Sequence, residues 1–191
     1  MTDLPESTAA ADPQPAMERL RGGAHADEIA LTTLYETHRA EVFAFLIRMT
    51  RDREAAEDLL QETFIRLIRE ARAGRMPDAV RPWLYRVATN AAISRARKGA
   101  LWTRLLPRLV DRREPVRPEG EALRAERDAE LHTALAELAP DGRAALLLAA
   151  QGLAGREIAA SIRRSEGATR TLICRSRVQL RLILEAKEGQ A

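Results

Sequence analysis

Leu31, Leu34, Tyr35, His38, Val42, Phe45, Leu46 and Met49 recur at three- and four-residue intervals, which predicts a long amphipathic helix. Asp52 is placed to cap a second helix that runs to about Ala73, where Gly74 and Pro77 interrupt it. With residues set about 100° apart, Ala56, Leu60, Thr63, Phe64, Leu67 and Ala71 gather on one side of that helix. Asp58, Gln61, Glu62, Ile65 and Arg69 form a narrow stripe opposite. A third helix is predicted around Pro82, which sits in the first turn where a missing amide donor costs little, and continues to about Lys98. Leu84, Val87, Ala88 and Ala91 point one way along it, while Arg86, Asn90 and Arg97 share a second stripe with Ser94 at its edge. Three helices of this length make a compact bundle.

Gly99, Pro107, Pro115, Pro118 and Gly120 punctuate an arginine-rich stretch that reads as a linker. Helical periodicity resumes at Glu121 through Leu131, Leu135 and Leu138, stops at Pro140, and restarts over residues 143 to 150. Two more helices, near 156–162 and from 165 to about 184, are joined by a tight connection and have the dimensions of a helix-turn-helix. In the last one Thr169, Ile173, Ser176 and Leu180 form the inward stripe, a polar one for a core face. Arg170, Arg177 and Arg181 line another face, Arg175 lies to one side, and Arg163 and Arg164 stand at the entrance. No β-type alternation occurs. The expectation is an all-α chain of two small helical domains, 28–98 and 128–184, joined by a flexible linker over 99–127. Residues 1–27, with their prolines, glycines and small residues, read as a disordered tail, and 185–191 as a short C-terminal tail.

At 46% hydrophobic and 31% charged residues the chain has the composition of a globular protein, and with 4% aromatics its core must be aliphatic. Charge is distributed in blocks. Residues 1–62 hold 13 acids and 6 bases, 86–113 hold 8 bases and 1 acid, 115–141 hold 3 bases and 7 acids, and 163–181 hold 6 bases and 1 acid. Two basic blocks around an acidic interval suggest two contacts with a polyanion. Arginine, whose planar fork suits phosphates and guanine edges, supplies 29 of the 31 positive charges, a bias that a GC-rich genome would equally produce.

No enzyme emerges from the residue inventory. His25, His38 and His132 are scattered without the spacing of a helical metal site, and Gly22-Gly23 lacks the Gly-Lys-Ser/Thr of a phosphate loop. Neither metal, cofactor nor small-molecule substrate is expected. His38 reads as a partly buried core histidine. The single cysteine, Cys174, excludes an intramolecular disulfide. No apolar run approaches a membrane span and no secretory leader is evident, so no membrane insertion and a cytoplasmic location are expected. The outer stripe of the second helix leaves two readings open from spacing alone: a solvated surface with one stray isoleucine, or a protein-docking face.

Glu57-Asp58-Leu59-Leu60-Gln61-Glu62-Thr63-Phe64, followed at the right separation by Trp83-Leu84-Tyr85 with Asn90 and Arg97, resembles region two of sigma-70-type initiation factors. Leu135 to Pro140, Arg143, Gly152-Leu153 and Glu157-Ile158-Ala159 are similar to region four of the small, extracytoplasmic-function (ECF) branch. The resemblance covers nearly everything outside the tail and linker. It implies a region-two bundle and a region-four helix-turn-helix, with Asp58, Gln61 and Glu62 docking on the clamp helices of core RNA polymerase. It also implies that Arg86, Asn90, Ser94, Arg97 and Lys98 hold single-stranded DNA where the minus-ten element is recognised and melted. Trp83 is implied as a buried anchor. Region four would bind the minus-thirty-five duplex and the polymerase flap, with Arg163, Arg164, Ser165, Glu166, Arg170, Thr171, Arg175 and Arg177 toward DNA. The linker would thread near the active-site or RNA-exit channel, and an anti-sigma factor would sequester the free chain.

Two departures stand out. Ser94 replaces the family's usual aspartate. The turn and recognition helix, usually a glycine, a hydrophobic residue and Gly-Thr-Val-Lys-Ser-Arg, here read Arg163-Arg164-Ser165-Glu166-Gly167-Ala168-Thr169-Arg170-Thr171-Leu172. An alternative is therefore a sigma-like mimic that titrates an anti-sigma factor without initiating transcription, and a third is a stand-alone DNA-binding regulator using only the C-terminal motif.

Overall fold

A computed structural model describes residues 28–105 and 122–188, and among them there are seven helices and no strand. The tail over 1–27 and the centre of the expected linker lie outside the described residues. Helix α1 spans Glu28–Thr50, α2 Arg53–Arg72 and α3 Val80–Leu105; then follow α4 Ala122–Glu137, α5 Pro140–Ala150, α6 Gly155–Ile162 and α7 Glu166–Glu188. No described helix is long and apolar enough to cross a membrane.

The first three helices form the expected bundle. Helix α1 buries Leu34, His38, Val42, Phe45, Leu46 and Met49 of the predicted stripe, whereas Leu31 is half-buried and Tyr35, at the margin, is exposed. It ends at Arg51, whose φ of 58° reverses the chain in the left-handed region, and Asp52 then caps α2 by accepting a hydrogen bond from the Ala55 amide at 3.0 Å. The core face of α2 is rotated slightly from the expected one. Ala55 and Leu59 are buried with Ala56, Thr63, Phe64, Leu67 and Ala71, whereas Leu60 is only half-buried at the edge. The few aromatic rings are spent at the seams, with Phe45 edge-on to Tyr85 at 5.3 Å and Tyr35 edge-on to Phe64 at 4.9 Å.

Helix α3 runs through Leu105, into the stretch read as linker. Gly99 alone costs a helix only about 1 kcal/mol, and no proline intervenes before Pro107. Pro140, read as a stop, is also the first residue of α5, where its fixed φ and missing donor are harmless. At the start of α6 the Glu157 carboxylate accepts from the Ala154 amide at 2.7 Å; alanine has no acceptor to return the bond.

Helices α4 to α7 make the second bundle around Leu135, Leu138, Ala144, Leu148, Leu153, Ile158 and Ile162. Helix α7 lies inward on Thr169, Ile173, Ser176 and Leu180, as its wheel predicts. Helices α5 and α7 approach closely at Gly142, where an added Cβ would meet the Ser176 Oγ unless that hydroxyl turned away. The Thr169 hydroxyl is satisfied locally by donating to the Ser165 carbonyl at 2.9 Å.

The two bundles pack directly on one another: α3 against α6 and α5, and α1 against α5 and α4. Their buried apolar residues form one contiguous cluster, from Leu34 and Phe45 through Leu84 and Ala88 to Leu148 and Ile158. Polar ties flank it. Arg143 donates to the Leu135, Ala136 and Leu138 carbonyls at the end of α4 and to the Met49 carbonyl in the last turn of α1, at 2.6 to 3.3 Å. Carbonyls at a helix C-terminus lack the amide of a following turn, and a guanidinium fork suits them; Leu135 also accepts from the Leu138 amide at 3.2 Å. Burial, and then the nearby Arg51 charge, lower the Arg143 pKa from its usual value.

A second tie joins α3 to the turn after α5. Arg81 donates to both oxygens of Glu41 at 3.1 and 3.2 Å and to the Gln151 carbonyl at 3.0 Å, while Tyr85 donates to Gln151 Oε1 at 3.0 Å. His38, buried as expected, bonds through Nδ1 to Glu41 at 2.8 Å. Burial, followed by the Glu41 carboxylate, pushes the Tyr85 phenol up to about 12, so it remains a neutral donor.

Candidate nucleic-acid interface

The outer stripe of α2 is outward. Asp58, Gln61, Glu62, Ile65 and Arg69 are all exposed, with Ile65 at 39%. Glu62 pairs with Arg66 one turn on, an ordinary exposed ion pair. Asp58 and Gln61 have no bonding partner among the described residues. An unpaired carboxylate, an amide and an aliphatic side chain on one ridge form a surface that a cationic partner could complete.

On α3, Arg86, Ser94, Arg97 and Lys98 are exposed and Asn90 is half-buried. The Asn90 amide donates to the Arg86 carbonyl at 2.7 Å, which leaves its oxygen free of that bond and directs the group along the helix. Trp83 is half-buried and packs against the core, in keeping with an anchor. Asn90, Ser94 and Lys98 face Glu62 and Leu59 of α2 across an open groove of about 680 Å³, which Arg163 of the second bundle closes at one end. Arg95, outside the expected set of strand-binding residues, lines it too. Of the expected residues, Glu62, Asn90, Ser94 and Lys98 thus meet around one groove, whereas Asp58, Gln61, Arg86 and Arg97 are not among those that line it.

In the second bundle α6, the turn and α7 form the helix-turn-helix. Arg163 ends α6 with φ 56° and ψ 49°, the left-handed conformation that favours glycine, and the Arg164 amide donates to the Ala159 carbonyl at 3.0 Å to close the cap. Ser165 caps α7: its Oγ accepts from the Ala168 amide at 3.3 Å, and Glu166 follows in the first turn. Arg163, Arg164, Ser165, Glu166, Arg170, Thr171, Arg175 and Arg177 are all exposed. Thr171 donates to the Gly167 carbonyl at 3.1 Å. Arg177 stands over a second groove of about 600 Å³, between α5 and α7, beside Leu146, Leu180 and Arg181. The side chain that sequence reasoning missed is Asp141 in the first turn of α5. Its carboxylate, 15% exposed, accepts from Arg164 at 2.7 Å and from Arg97 of α3 at 3.2 Å.

The left-handed arginine is a testable strain. Arg163→Gly is expected to raise stability by about 1 kcal/mol, because a Cβ in that conformation costs roughly that much. Thermal melting of the two proteins reads it, and an unchanged or lower midpoint would mean that the arginine side chain makes up for its backbone.

Among the described residues no group of histidine, cysteine and carboxylate side chains is placed to hold a metal. The chemistry on offer is recognition: an acidic ridge, a cationic and amide groove, and an arginine-faced helix at the exit of a tight turn.

Comparison with known proteins identifies the family. Residues 34–101 match the family model of Sigma-70 region 2, and residues 128–180 match that of Sigma-70, region 4. The chain belongs to the sigma-70 family. Its relatives place it in the ECF branch. It is 35% identical over 175 residues to RNA polymerase sigma factor CarQ of Myxococcus xanthus, covering 88% of this chain and 95% of that one. It is likewise 35% identical over 152 residues to ECF RNA polymerase sigma factor SigE of Mycolicibacterium smegmatis; that match takes in 78% of this chain and 59% of the relative's length. Two solved structures share the fold with TM-scores of 0.63 at 22% identity. They are sigma factor RpoE in complex with the anti-sigma factor NepR from Bartonella quintana (81% of this chain, 96% of that one) and CnrH in complex with the cytosolic domain of CnrY (92% and 99%).

Proposed function

We propose that this chain recruits core RNA polymerase to a set of promoters and starts transcription there, leaving the chemistry to the polymerase. Asp58, Gln61 and Glu62 dock on the polymerase clamp. Arg86, Asn90, Ser94, Arg97 and Lys98 hold the opened strand of the downstream promoter element; region four grips the upstream duplex and the flap. Bases freed from the duplex are captured by the groove, which supplies energy for opening without a nucleotide. The observation that carries the reading is that groove: Glu62 on one wall and Asn90, Ser94 and Lys98 on the other put polymerase contact and strand capture side by side. An anti-sigma factor that covers these faces would keep the free chain silent.

Helix α7 keeps its arginines outward despite its unusual sequence, which supports DNA binding over the mimic reading. The deciding experiment is run-off transcription with core polymerase on a pool of genomic fragments. The expected result is a set of discrete start sites that vanish when the chain is omitted. A chain that traps an anti-sigma factor but yields no such transcripts is a mimic, and the proposal fails.

A further inference from the structure

Arg97 and Arg164 come from opposite halves of the chain, and each belongs to a different proposed DNA face. Both are neutralised by one carboxylate. Asp141 offers Oδ1 to Arg97 and Oδ2 to Arg164, and its side chain is largely buried between them in the first turn of α5. A carboxylate gripped by two guanidiniums presents to them what a DNA phosphate would present. Promoter elements lie at separate places along a duplex, so the two arginines must part before both faces can be used.

We propose that Asp141 acts as an internal phosphate mimic that holds the free chain closed and lowers its affinity for DNA until the two halves separate. The proposal rests on the DNA-binding reading of Arg97 and Arg164. The Arg81, Tyr85 and Gln151 tie and the Arg143 bonds hold the same closed arrangement, yet they occupy no proposed DNA-binding side chain. Asp141 alone couples closure to the DNA faces among the ties described. Opening is opposed by the ion pairs and favoured by any polyanion that competes for the same guanidiniums.

The test uses the full chain and Asp141→Asn, which keeps the shape and removes the charge. Spin labels on the native Cys174, exposed on α7, and on an introduced Glu36→Cys on α1 report the distance between the halves. Binding of a fluorescent duplex of arbitrary sequence at low salt reports DNA affinity. Glu57→Gln serves as a control that deletes an exposed acid whose partner, Arg53, is on the same helix. The unmodified chain is expected to show one short distance. Asp141→Asn is expected to add a longer one and to bind the duplex about three- to tenfold more tightly, as two partly exposed ion pairs would allow. The control should do neither.

A broad distance distribution in the unmodified chain overturns the proposal, and so does opening without a gain in DNA affinity, or a gain matched by the control. Run-off transcription separates this from the functional reading. Transcripts together with an indifferent Asp141→Asn remove the latch alone, whereas opening and tighter binding without transcripts uphold the latch and remove the initiation reading.

Discussion

Arg143→Ala is expected to lower the free energy of unfolding by about 3 kcal/mol. The guanidinium answers four carbonyls from two helix ends, and alanine leaves those of Met49, Ala136 and Leu138 without it, while Leu135 keeps only the Leu138 amide at 3.2 Å. Water can enter the vacated space at some of these positions, which keeps the loss below the sum of four lost bonds. Arg143→Lys should recover only part of it. An ammonium keeps the charge near the C-terminal dipoles of α1 and α4, but it is a compact donor that cannot fork across both. Urea denaturation followed by circular dichroism gives both numbers, and equal midpoints for arginine and alanine would show that the fork does not hold the halves together. The loss should also grow little with salt, since these bonds go to carbonyls and not to exposed carboxylates.

Asp58→Arg is expected to weaken binding to core polymerase about 100-fold, the product of a lost charge-assisted hydrogen bond and a new like-charge contact. Asp58 has no partner within the described chain, so the substitution leaves the fold alone and its effect falls on the interface. Glu62→Gln should do less, because Arg66 already engages that carboxylate and must release it before a partner can use it. Fluorescence polarisation with labelled core polymerase orders the three proteins. If Asp58→Arg binds as well as the unmodified chain, the ridge is solvated surface, and the docking face must be sought elsewhere. Duplex DNA binding by α7 should be unaffected, which separates loss of docking from misfolding.

The exposed ridge was legible because helical arithmetic needs only local spacing. Asp58, Gln61, Glu62, Ile65 and Arg69 point outward as their positions dictate, and the inward run of Thr169, Ile173, Ser176 and Leu180 follows the same rule. The edges of faces are less readable: Leu59 and Leu60 are adjacent leucines at the margin, and only the position of α3 and α1 decides which goes in. Helix ends were misread where a weak breaker stood in for a strong one, as at Gly99. Pairings across the chain left no local trace. Arg143 and Met49 are 94 positions apart, and Arg97 and Asp141 are 44 apart. Asp141 looks from its neighbours like any acid in the first turn of a helix. Its two arginines are chosen by the packing of α3 against α6, which no periodicity encodes. The family's usual glycine at the turn made Arg163 conspicuous by sequence, and its left-handed backbone shows that the turn was kept while the residue suited to it was not.

The merged apolar cluster makes the chain hard to dissect. A fragment ending at Leu105 would strip the flank of α3 that α6 covers, deprive the Tyr85 hydroxyl of Gln151 and leave the Met49 carbonyl without its guanidinium. Such a piece would carry a sticky side into the cell and invite self-association or chaperone capture. Two family signatures written one after the other here share a single buried core in the closed arrangement.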